Sequence, residues 1–75
     1  MSADELVRWL RAQLDEDERH PEYEEGSMLR AFEDLHLAFR RLLLEIGAAI
    51  GPWPIPVLMA RRFVDRPGYR QEWAP

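Results

Sequence analysis

The sequence predicts an all-α fold: a helical hairpin with a long central helix and a short C-terminal helical segment packed across it. An apolar repeat begins at Met28 and continues through Phe32, Leu35, Phe39, Leu42, Ile46 and Ala49 at spacings of 4, 3, 4, 3, 4 and 3, the stripe of a helix packed along its length. A shorter stripe of Leu6, Trp9, Leu10, Gln13 and Leu14 precedes it at helical steps. Prolines and glycines gather between the two and after the second, where turns are needed.

The first helix is expected over about residues 3–18. Ser2 and Glu5 have capping-box spacing, in which each side chain satisfies the other residue's free backbone N–H. Arg8, Arg11 and Ala12 take the opposite face, and the acids Asp15, Glu16, Asp17 and Glu18 mark its solvated end. Acids there oppose the helix dipole, so the last turn frays or the helix continues. His20 to Gly26 reads as a connector, and Ser27 as the cap of the second helix, expected over about residues 28–50. At ~1.5 Å per residue that rod is about 35 Å long, more than the first helix can cover.

The rod is also apolar off its main stripe. Leu37 and Leu44 lie nearly opposite, and Leu29, Leu43 and Ile50 flank it, so a second face needs cover from the C-terminal segment or a second copy. Leu37, Leu44, Leu43, Phe39 and Ile50 are the residues expected at a self-association interface. Gly51 and Pro52 end the rod, and a Pro-rich turn over 51–56 follows. A short helix is expected over about 57–64, then a turn and tail over 65–75 in which Pro67 opens a last helical turn presenting Tyr69 and Trp73.

At 75 residues there is room for one domain, and a core this small gains from a partner. Cysteine is absent, which removes disulfides and thiolate metal sites as staples. All ten basic residues are arginine, and lysine, asparagine and threonine are absent, as a GC-rich genome produces. Residues 1–37 hold eleven acids against four arginines and residues 38–75 three against six, a polarity that favours self-association or is neutralised within one monomer. The N-terminus has Asp4 and Glu5 where an export signal is basic, so a cytoplasmic protein is expected. Gly51, Pro52, Pro54 and Pro56 interrupt the longest uncharged stretch, which is too short for a spanning helix, and no membrane partner is expected.

No catalytic motif emerges. Glu33 and His36 form a Glu-x-x-His pair, of which ferritin-like di-metal bundles use two, and a homodimer would supply the second. Both residues sit beside the apolar seam, so this metal site is only an alternative, and no cofactor is expected. Asp15 to Glu25 lacks the alternating ligands and central glycine of a calcium loop. Arginines at Arg40 and Arg41, Arg61 and Arg62, and Arg66 and Arg70 suit a protein interface or pairing with the acidic N-terminal half better than nucleic acid, given the net charge of −4. Trp53, Tyr69, Trp73, Arg61 and Arg62 are candidate partner anchors, the aromatics equally serving to pack on the long helix and close the domain. Serine occurs only at Ser2 and Ser27, both explained as caps.

Residues 6–18, LVRWLRAQLDEDE, and 57–75, VLMARRFVDRPGYRQEWAP, resemble a family of uncharacterised short proteins of actinobacteria and their phages. Members open with a leucine-rich helix ending in LDEDE and close with a segment like LALPYADHPDYREEWRP. Phe63, Asp65, Pro67, Tyr69, Arg70, Glu72, Trp73 and Pro75 match that closing motif, and the resemblance covers under half the chain. The middle departs, with one leucine-rich helix where members carry a longer insert. The resemblance implies a GC-rich actinobacterial or phage origin and carries no activity. The expected function is therefore a non-enzymatic, self-associating protein-interaction module, such as a phage or mobile-element accessory factor. An acidic inhibitor of a nucleic-acid-binding protein is a further alternative.

Overall fold

The computed structural model describes residues 3–50 and 55–74, and it is all-α. Helix α1 spans Ala3–Arg19, α2 spans Met28–Ile50 and α3 spans Ile55–Ala60, followed by 3₁₀ turns at Arg61–Phe63 and Gln71–Trp73. The long central helix forms a hairpin with α1, and the C-terminal elements pack across it. Ser2 and the Gly51–Pro54 part of the turn, Trp53 included, lie outside the described residues.

Ser27 caps α2 as its sequence position suggested. Its hydroxyl accepts the Arg30 backbone N–H at 3.1 Å and donates to the Glu24 carbonyl at 2.6 Å. One free N–H of the first turn is thereby satisfied and the connector is tied to the helix start. Gly26, at φ 87°, takes the left-handed conformation that reverses the chain just before it.

The core forms where α1, α2 and the C-terminal segment meet. Leu6, Leu10 and Leu14 of α1 are fully buried with Leu44, and Val7, Ala60, Phe63 and Trp73 complete the set. Leu37, Val57, Met59, Trp9 and Tyr69 pack around them. α2 therefore meets α1 through its Leu37 and Leu44 face. This corrects two expectations together: the Met28-to-Ile46 stripe faces away from α1, and Leu44 lies inside the monomer, out of reach of a second copy, with Leu37 half-buried beside it.

Side chains flanking the two faces explain that choice. Beside Leu44, Gly47 lets α3 approach so closely that a Cβ there would sit 2.9 Å from Ile55 Cβ and 3.2 Å from Pro56 Cδ. On the other flank Glu45 accepts two hydrogen bonds from Arg11, at 2.6 and 2.8 Å, and Arg41 donates to Asp15 and Glu18 of α1, at 2.9 Å each. The opposite face of α2 has neither a glycine for α3 nor a matching pair of charges for α1. The acidic end of α1 is thus held by arginines from the other half of the chain, with Arg66 on Asp17 and, at the N-terminal end, Arg70 on Glu5. Much of the charge polarity seen in the sequence is neutralised inside one monomer.

α3 starts at Ile55, earlier than its prolines suggested, because Pro56 falls in the first turn, where its missing N–H costs nothing. Pro67 opens no helical turn. The chain instead bends through Gly68, at φ 90°, directly over the indole of Trp9. The final 3₁₀ turn then brings Trp73 to 5.3 Å and Tyr69 to 5.9 Å from the Trp9 ring, measured between centroids.

Candidate interaction surface

Two surfaces combine exposure with chemistry that binds: the outward face of α2, and a cleft beside its middle. The outward face follows from the heptad stripe. Met28, Phe32, Leu35, Phe39, Leu42 and Ile46, with Leu29 and Ile50 beside them, are all exposed, from 42% at Ile46 to 78% at Ile50. At about 100 Å² per side chain these eight residues present roughly 800 Å² of apolar surface, the amount one partner contributes to a standard stable interface. Soluble monomers rarely leave so large a contiguous apolar patch in water unless it binds something.

In heptad terms Met28, Leu35, Leu42 and Ala49 occupy d, and Phe32, Phe39 and Ile46 occupy a. The e and g positions, which usually carry charge, are Leu29, His36, Leu43 and Ile50 on one side and Ala31, Ala38 and Glu45 on the other. Glu45 is the one acid or base residue among them besides His36, and it is turned to Arg11. Two hydrogen bonds from that guanidinium hold the Glu45 carboxyl below its ordinary range and raise the Arg11 pKa.

Beside this face lies a cleft of about 460 Å³ lined by His20, Glu33, Arg40, Arg62 and Arg66 among others. Two of its acids, Asp17 and Glu33, are already engaged. Asp17 binds Arg66, while the Glu33 carboxylate accepts the backbone N–H groups of Glu22 at 2.8 Å and Tyr23 at 3.4 Å. Arg40 is left without a carboxylate among the described residues, and partial burial together with neighbouring Arg62 lowers its pKa. Glu33 thus works as a tether that holds the connector on α2. Its Glu-x-x-His partner His36 is exposed, and the described residues contain no group of three metal-ligating side chains.

The anticipated site residues separate cleanly. Phe39 and Ile50 are on the outward face and Leu43 is half-buried at its edge, whereas Leu44 is core and Leu37 is half-buried against it. Arg61 and Arg62 are exposed. Trp73 is only 2% exposed and Tyr69 is half-buried against Trp9, so both help close the domain and Trp73 has no surface left to anchor a partner. They pack on α1, not on the long helix. Met28, Phe32, Leu35, Leu42 and Ile46 were assigned to the internal seam and belong to the surface. Their uncharged e and g neighbours were the available signal, since a stripe buried on one side by a short helix needs no apolar flank along its whole length.

No helix among the described residues is long and apolar enough to cross a membrane. Comparison with family models, with curated proteins and with solved structures finds no match for this chain.

Proposed function

We propose that this chain is a small protein-interaction module that pairs with a second copy of itself through the outward face of α2. The supporting observation is the continuous apolar stripe from Met28 to Ile50 on the side of α2 turned away from the core. A stripe with a 4-3 repeat seats its side chains into holes on a helix carrying the same repeat. Within this chain α1 is occupied by the core and α3 has six residues, so the helix that fits is another α2. The exposed area matches what each partner of a stable pair contributes. Such a contact uses the same surface on both copies and closes with two-fold symmetry, leaving no further face to propagate.

Sedimentation equilibrium of the intact chain tests this. The expected mass is that of two chains at micromolar concentration. Phe39→Glu places a charge at the centre of the face in each copy and is expected to weaken pairing at least about 100-fold, with helical content retained because Phe39 supports nothing in the core. A single-chain mass at all concentrations, or a Phe39→Glu variant that still pairs with unchanged affinity, would overturn the proposal.

A further inference from the structure

We infer that the two copies of α2 run antiparallel, in the register that sets Phe32 against Ala49 of the second copy. The inference rests on the proposed self-association and specifies its geometry.

Charge cannot choose the orientation, because the e and g positions are almost entirely uncharged and Glu45 is bound to Arg11. Volume and coverage decide instead. In a parallel pair each core position meets its own copy, so Phe32 faces Phe32, Phe39 faces Phe39 and Ala49 faces Ala49. Two straight helices hold a nearly constant separation of about 8–10 Å, and such a seam would be overfull at two layers and hollow at a third. An antiparallel pair sets a positions against d positions. Phe32 then meets Ala49, Leu35 meets Ile46 and Phe39 meets Leu42, each twice by symmetry, which narrows the spread of layer volumes.

The flanks select among antiparallel registers. With Phe32 opposite Ala49, Leu29 falls beside Ile50 of the second copy and His36 beside Leu43. The most exposed apolar residue of the face, Ile50, is thereby covered. Sliding the pair by one heptad, to Phe32 against Leu42, seats Met28 against Ile46 but runs Ile50 past the end of the partner helix and sets His36 against its own copy in place of Leu43. Antiparallel helix dipoles also attract weakly, by a few tenths of a kcal/mol in exposed helices.

Because the chain has no cysteine, single cysteines report the geometry directly. Phe32→Cys and Ala49→Cys chains are prepared separately, mixed under reducing conditions and then oxidised. The expected product is the mixed 32–49 disulfide, with neither variant linking to itself, since two copies of residue 49 would lie about 25 Å apart along the axis. Spin labels at Ala31→Cys, off the seam and tolerant of substitution, give a second measurement: about 28 Å of axial separation antiparallel, against side-by-side labels in a parallel pair. A two-chain mass with self-linked Ala49→Cys or close Ala31 labels overturns the orientation and leaves self-association standing. A single-chain mass overturns both. Three or more chains overturn the two-helix layers.

Discussion

The outer face of α2 carries eight large apolar side chains and the inner face only Leu37 and Leu44, yet it is the inner face that joins the core. Leu37, Leu44 and Gly47 face α1 and α3, while Phe32, Leu35, Phe39 and Leu42, with bulkier side chains in stricter periodicity, remain in solvent. The difference teaches that a small domain does not simply bury its most hydrophobic stripe. It buries the face whose neighbours fit. On the buried face a glycine admits Ile55 and Pro56 and arginine–carboxylate pairs fit the flanks, beside a covering helix of only 17 residues. The stronger repeat is left exposed.

The largest expected effect separates the two faces by stability. Leu44→Ala should cost about 2–5 kcal/mol in urea denaturation, the range for truncating a fully buried leucine. In a core as small as this one that is enough to unfold much of the population. Leu35→Ala, measured under dilute monomeric conditions, should change stability by less than about 0.5 kcal/mol while weakening self-association. Reversed magnitudes would mean the faces are exchanged in solution.

A smaller effect sharpens why α3 sits where it does. Gly47→Ala gains about 1 kcal/mol of helix propensity, yet its methyl enters space already taken by Ile55. Overpacking of this kind costs about 1–3 kcal/mol, so a net loss of about 1 kcal/mol is expected in thermal or urea unfolding. A net gain of the full propensity increment would show that α3 yields freely and that Gly47 does not select the face.

The smallest effect concerns the charged flank. Glu45 titrates below the ordinary carboxylate range in the folded chain because Arg11 hydrogen-bonds its charged form. Its contribution is therefore fully present above the unfolded-state pKa and is lost as pH falls through the lowered folded value. Both groups are about half exposed, which limits the pair to less than about 1 kcal/mol. Glu45→Gln should cost that amount at neutral pH and nothing once the carboxylate is protonated, as read from stability measured across the acid range. An equal cost at both extremes would assign the effect to packing.

Much of this was legible in the residues. The extents of α1 and α2, the Ser27 cap and the connector at Gly26 follow from local rules of capping, periodicity and turn chemistry, which act within a few residues of each position. The stickiness of α2 was also visible, because too many of its positions are apolar for one short companion. The side that would remain wet was not, since a hydrophobic pattern gives the angle of each stripe around the axis but not the neighbour that will take it.

Tyr69 and Trp73 make the same point from the tail. Their sequence context suits an exposed anchor as well as a buried lid, and only the approach of Gly68 to Trp9, more than fifty positions away, turns them inward. The sequence by itself determined the two long helices, their lengths and the existence of two apolar faces on α2. Tertiary structure alone decided which face became core, because that depends on whether a glycine, a proline and a few charges from distant segments fit together in three dimensions.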